Sequence, residues 1–98
     1  MYGTVARLRP RSGQVDELLR LSDEWRKEIG SKTDGFVGEY VFKLDENPDE
    51  YILVALFRDR EAYRANAEKP EQHEWYLRMR ETLESDPEWN DGEVVYSS

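Results

Sequence analysis

One histidine, an asparagine set among small residues and a group of aromatic hydroxyls are the side chains of this 98-residue sequence best placed to do chemistry. His73 is the only histidine. No other side chain has an ordinary pKa near neutrality, so it is the default agent of proton transfer. It lies three positions after Pro70, in a first helical turn whose dipole disfavours the imidazolium while Glu71 and Glu74 favour it. It falls about 105° from the centre of the apolar stripe, at its flank, so a surface or rim histidine is the favoured alternative to a catalytic one. Asn66 sits between Ala65 and Ala67, one turn after Tyr63. Its neutral amide can stabilise negative charge by hydrogen bonding without titrating; the alternative is a helix-terminal Asn satisfying backbone groups. Tyr40, Tyr63, Tyr76, Trp25 and Trp75 can line a flat apolar pocket with polar tips. Plain core packing is the alternative, and it is the expected role of Trp25. Buried Tyr63 and Tyr76 hydroxyls need partners, which a ligand can supply. Thr4 shares one strand face with Ala6 and Leu8 and places a hydroxyl there.

Other chemistries are excluded by composition. Without cysteine there is no disulfide, thiolate nucleophile, iron–sulfur cluster or cysteine zinc site. A single histidine rules out a multi-histidine metal site within one chain, so no metal is expected. The acidic stretches Asp45–Glu50 and Glu84–Asp91 lack EF-hand spacing and read as solvated turns. Nucleotide-loop, nucleophile-elbow and zinc-protease motifs are absent. Fourteen Lys and Arg against 22 Asp and Glu give a formal charge of −8, which argues against nucleic acid or an anionic membrane as partner. Met1 to Val5 show no basic-then-apolar signal pattern. The expectation is one domain over 1–98, in the cytoplasm.

The elements that must hold these residues follow from periodicity. Tyr2 to Arg9 reads as a strand ended by Pro10. A helix starts at Ser12 or Gly13, and Val15, Leu18, Leu19, Trp25 and Ile29 share an arc of about 120°. Gly30 is its natural stop. Phe36–Leu44 and Tyr51–Phe57 are strands joined by a polar turn. Asp59 caps a short helix that must end before Pro70, which itself suits the first turn of a helix to about Glu84. On that helix Trp75, Tyr76, Met79 and Leu83 lie within roughly 100°. Gly92–Tyr96 reads as the last strand. The order β-α-β-β-α-β predicts an α+β, ferredoxin-like antiparallel sheet with its helices on one face.

That sheet is apolar on both faces. Ile52, Val54 and Leu56 point opposite to Leu53, Ala55 and Phe57. On the preceding strand Phe36, Tyr40, Phe42 and Leu44 are expected to oppose Val37 and Val41. Helices cover one face only, and each large apolar side chain left in water forgoes roughly 1.5–3 kcal/mol. A second copy of the sheet is the expected cover, giving a homodimer through the open face. Arg7, Arg9 and Arg58 are expected to pair with carboxylates across that interface, Glu39 among them.

The run Phe57-Arg58-Asp59-Arg60-Glu61-Ala62-Tyr63-Arg64-Ala65-Asn66 combines an aromatic strand end, an acidic cap, Glu-Ala-aromatic and a polar residue four positions after the Ala. With Gly35-Phe36-Val37-Gly38 and Pro70-Glu71-Gln72-His73-Glu74-Trp75-Tyr76, it resembles the antibiotic biosynthesis monooxygenase (ABM) family of the dimeric α/β barrel superfamily. The resemblance spans nearly the whole chain. It implies a homodimer whose protomers oxygenate a small aromatic or polycyclic substrate with O2, without metal or other cofactor, in a pocket between sheet and helices. It further implies that Asn66 holds a substrate oxygen and that His73 or Tyr76 is the proton partner, with Thr4, Tyr40, Tyr63 and Trp75 lining the pocket. The haem-degrading branch has Asn, Trp and His where this chain has Ala6, Asn66 and Tyr76, so haem degradation is not expected. The alternative function is a non-catalytic dimer binding a hydrophobic ligand, including haem met by a Tyr76 phenolate.

Overall fold

The computed structural model describes all residues, 1–98. Its elements are β1 (Tyr2–Leu8), α1 (Val15–Glu28), a single 3-10 turn (Gly30–Lys32), β2 (Phe36–Lys43), β3 (Tyr51–Phe57), α2 (Arg60–Ala67), α3 (Pro70–Glu81) and β4 (Glu88–Glu93). The strands form one antiparallel sheet in the order β2-β3-β1-β4, so the expected α+β, ferredoxin-like arrangement is present. No helix is long and apolar enough to cross a membrane.

Alternation on the central strands builds the core. Ala6, Leu8, Leu53 and Phe57 point to one face and bury against Leu18 and Trp25 of α1 and Trp75 and Met79 of α3. Burying each large apolar side chain contributes about 1.5–3 kcal/mol. Asp59 caps α2, its carboxylate accepting the Ala62 N–H at 2.8 Å, and Pro70 occupies the first turn of α3. Gly35 has φ +83° and stands so close to α2 that a Cβ there would lie 2.6 Å from that of Ala62. Only glycine meets both conditions.

Four sequence readings need correction. Helix α1 begins at Val15, after a turn in which Gln14 N–H bonds Arg11 O. Its buried face is Leu18, Leu21, Ser22 and Trp25, and Leu19 is exposed. The helix packs on α3 as well as on the sheet, with Trp75 Nε1 donating to Leu21 O at 2.8 Å, so its buried arc extends to Leu21. In β2 the pairing shifts between Phe36 and Gly38, a bulge that puts one extra residue into the strand. Beyond the bulge Tyr40 and Phe42 share the open face with Val54 and Ile52, while Phe36 packs inward on Trp25 and Phe57. Helix α3 stops at Glu81, where the chain turns so that Leu83 bridges to Pro10 and Glu84 N–H bonds Arg9 O. Finally, the last strand is Glu88–Glu93, and Val95 and Tyr96 lie exposed past it. The pairing of β4 with β1 runs to Tyr2↔Glu93, with Val94 N–H reaching Met1 O beyond it, and residues 95 and 96 lie outside the ladder.

The helix-free face of the sheet is apolar and open: Val5, Tyr40 and Phe42 are 46–62% exposed, beside half-buried Ile52, Val54 and Leu56. The arginines expected to cross it pair within the chain. Arg7 and Arg9 both hold Glu50, the latter at 2.8 Å, and Arg58 bridges Asp34 and Asp59 at 3.1 and 3.2 Å. Glu50 is thus an ion-pair acceptor rather than part of a solvated turn, and the Arg7 hydrogen bond holds its carboxyl below the usual range.

Candidate active site

Register dictates the floor of the site. Glu39 of β2 opposes Ala55 of β3, Ala55 opposes Thr4 of β1, and Thr4 opposes Asp91 of β4. These four residues form one cross-strand row on the helix-covered face. Neighbouring strands lie about 4.8 Å apart, so the Glu39 and Thr4 backbones stand roughly 10 Å from each other across a single methyl group. The small Ala55 leaves a cavity of about 380 Å³ above this row, within the size range of small-molecule sites.

Helices supply the roof. Tyr63 and Asn66 from α2 meet Gln72, His73, Trp75 and Tyr76 from α3 around the cavity, which Trp25 of α1 closes from behind. The aromatic walls are tied in place by bonds that leave their rings facing inward. Trp75 Nε1 is spent on Leu21 O and Trp25 Nε1 on Gln72 Oε1. The Tyr63 ring packs edge-on against Phe57 with centroids 5.4 Å apart, and its hydroxyl donates to Asp91 Oδ1 at 3.0 Å. Burial and then this carboxylate push the Tyr63 phenol up to about 12, so it remains a neutral donor at physiological pH. Tyr76 leans on Trp89 at 6.3 Å.

Two polar atoms of the lining are buried without a partner: Thr4 Oγ1 and Asn66 Oδ1. A buried polar group left unpaired costs about 1–3 kcal/mol. The chain therefore holds an amide and a hydroxyl in readiness for groups it does not itself provide. Asn66 departs from the helix-terminal reading in that its amide makes no hydrogen bond to a backbone group, while its Oδ1 is buried and unpaired. Apart from Glu39 and Asp91 the walls carry no formal charge other than that His73 can acquire, and no lysine or arginine lines the cavity.

Six of the seven residues singled out from sequence converge here: Thr4, Tyr63, Asn66, His73, Trp75 and Tyr76. His73 is exposed and so sits at the rim. Tyr40 is the exception. The bulge at the start of β2 rotates it to the open face, where it is 62% exposed. The inward position next to it belongs to Glu39, which sequence reasoning assigned to an interface. Glu39 is half-buried in the cavity with no cation beside it, and burial alone pushes its carboxyl up to about 7. The signal that marks it is a lone carboxylate in an otherwise apolar strand, one residue after a glycine of the kind that accompanies bulges.

Comparison with known proteins agrees with this geometry. The sequence profile described as "Antibiotic biosynthesis monooxygenase" matches residues 1–77, and the chain belongs to that family. Among solved structures, SnoaB from Streptomyces nogalater, a cofactor-independent oxygenase crystallised as an asparagine-to-alanine mutant, is 16% identical. It superposes with a TM-score of 0.84 over 98% of this chain and 94% of its own. Rv0793 from Mycobacterium tuberculosis is 18% identical, with a TM-score of 0.81 over 99% and 97% of the two chains. A conserved protein from Methanosarcina mazei Go1 is 20% identical, with a TM-score of 0.81 over 93% and 89%. At such identities these likenesses establish the fold. No curated protein sequence matches the chain.

Proposed function

We propose that this protein is a cofactor-independent monooxygenase that uses O2 to oxidise a small aromatic or polycyclic substrate, acting as a homodimer closed through the open sheet face. The observation that carries the reading is the pair of partnerless buried polar atoms, Asn66 Oδ1 and Thr4 Oγ1, in a cavity walled by Trp25, Tyr63, Trp75 and Tyr76. A flat ring bearing oxygen substituents satisfies both sets of groups at once. Family membership and the SnoaB fold support the same reaction class.

The protein's task in such a reaction is modest. A substrate carbon activated by neighbouring rings and a carbonyl loses a proton, and the enolate that remains reduces O2. A C–O bond forms, and loss of water from the hydroperoxide leaves a quinone, so that a CH2 and O2 become C=O and H2O. The Asn66 amide N–H donates to the enolate oxygen while its Oδ1 accepts from a substrate hydroxyl, His73 or Tyr76 exchanges protons, and the aromatic walls keep water from the anion. The apolar residues of the open sheet face support the dimer, since each gains roughly 1.5–3 kcal/mol on leaving water. Haem does not fit this site. Its propionates call for cationic partners, and the lining offers two carboxylates with no lysine or arginine.

The test is oxygen uptake with anthrone, whose ring-activated CH2 is oxidised to a quinone carbonyl with release of water. The wild-type protein is expected to accelerate uptake, and Asn66→Ala to lower kcat by about 10²-fold or more. Uptake no faster than in buffer, for anthrone and its hydroxylated relatives alike, overturns the reading.

A further inference from the structure

Glu39 is the one strongly acidic group of the cavity that no residue of the chain claims. Asp91, at the other end of the floor row, accepts the Tyr63 hydroxyl. Glu39 has no ion pair, and its only neighbour along the row is the methyl of Ala55. A carboxylate half-buried without a partner is costly, so its retention in a site calls for a function. Its position supplies one. The space above Ala55 separates Glu39 on β2 from Thr4 on β1, with Asn66 on the roof, so a ring lying on the floor has the carboxyl at one edge and the neutral polar groups beyond it.

We propose that Glu39 is the catalytic base of this site, and that the substrate is a neutral hydroxylated aromatic that binds by presenting an acidic C–H or O–H to it. The proposal rests on the monooxygenase reading and specifies its first step. A Glu39 oxygen takes the proton, and the C–H electron pair passes into the ring system as an enolate whose oxygen accepts from the Asn66 amide N–H. O2 then accepts the electrons and forms the new C–O bond. The Glu39 acid returns its proton to the peroxide oxygen, and water leaves as the second C–H proton is removed. The substrate is oxidised, O2 is reduced and the carboxyl ends as it began. His73, exposed at the rim, exchanges protons with solvent and not with the carbon. An anionic substrate is disfavoured, because both carboxylates of the floor repel it and no lysine or arginine of the lining attracts it.

The titratable groups sharing the cavity with Glu39 are Asp91 from β4, Tyr63 from α2, and His73 and Tyr76 from α3. Strand β3 and helix α1 contribute only apolar or indole side chains to it. With burial placing the Glu39 carboxyl near 7, the acid form dominates below neutrality and the base form above it. For anthrone, kcat/KM is therefore expected to rise through about pH 7 and level off. Glu39→Gln should lower the plateau by 10²- to 10⁴-fold and abolish the rise. His73→Gln should keep the rise. Glu39→Ala should recover part of its rate in a saturable way on addition of acetate, a response that a structural role does not produce. An E39Q rate within threefold of wild type with the rise intact overturns the proposal, and so does loss of the rise in H73Q but not in E39Q. A separate arm needs no turnover: the ¹³C carboxyl resonance of Glu39, identified by its loss in E39Q, should shift when 2-naphthol is added under nitrogen. A resonance that stays in place overturns the assignment. A shifting resonance in a protein without oxygenase activity sinks the monooxygenase reading and leaves Glu39 as the proton acceptor of a phenol site.

Discussion

Removing the charge of Glu39 is expected to stabilise the protein, and only at the alkaline end of the folding range. Burial raises the carboxyl from an ordinary 4.5 to about 7 in the folded state. Between those values the folded protein holds a proton that the unfolded chain has released, so stability falls as pH rises through this window and is flat above it. The full difference corresponds to about 3 kcal/mol. Water reaching the cavity screens part of the penalty, which leaves on the order of 2 kcal/mol. Glu39→Gln keeps the shape of the neutral acid and cannot ionise. Against wild type it should be near neutral at pH 4.5 and more stable by about 2 kcal/mol at pH 8, or roughly 10 °C in Tm for a domain of this size. Urea denaturation of both proteins across pH 4.5–8.5, at matched concentration because a dimer's stability depends on it, measures the difference directly. The ion-paired carboxylates, Asp34, Glu50 and Asp59 among them, have depressed pKa values and lose stability as pH falls. Their contribution is common to both proteins and cancels. A wild-type minus E39Q difference that is constant over this range refutes the claim that Glu39 titrates in a desolvated site.

The shape of the cavity and the open sheet face give two further predictions. Ala55→Leu fills the space above the floor row without removing a catalytic group; 2-naphthol affinity, followed by tryptophan fluorescence, should fall at least tenfold while Tm holds or rises. Affinity within twofold of wild type would place the ligand elsewhere. Val54→Asp puts a charge in the middle of the open face. Sedimentation equilibrium should show wild type at twice the 11.6 kDa chain mass and the variant at a single chain, whereas a monomeric wild type contradicts the dimer.

What could be read from the sequence divides along physical lines. Strands β1 and β3 declare themselves by their apolar, β-branched and aromatic runs, and α2 by the Asp59 cap and the Pro70 boundary, because each depends on local chemistry. Strand β4 does not. Glu88-Trp89-Asn90-Asp91-Gly92-Glu93 has little intrinsic strand preference and forms because β1 offers it an unpaired edge. The apolar Val94-Val95-Tyr96 carries the better local signal yet lies past the end of its partner strand. The burial of Leu21 likewise depends on α3, which packs beside it through Trp75, 54 residues further along the chain. In the site, Asn66, His73 and Tyr76 were visible as unusual residues at helical spacing. Glu39 was hidden by a single extra residue in β2, since a one-residue slip exchanges the two faces of a strand. The same slip carried Tyr40 out of the cavity.

The most direct trial of the whole account is the fate of labelled oxygen. Anthrone incubated with the protein under ¹⁸O2, followed by mass spectrometry of the quinone, should give product with one ¹⁸O atom, formed faster than in buffer and slowed in both Asn66→Ala and Glu39→Gln. Label incorporated at the buffer rate, indifferent to both substitutions, contradicts it.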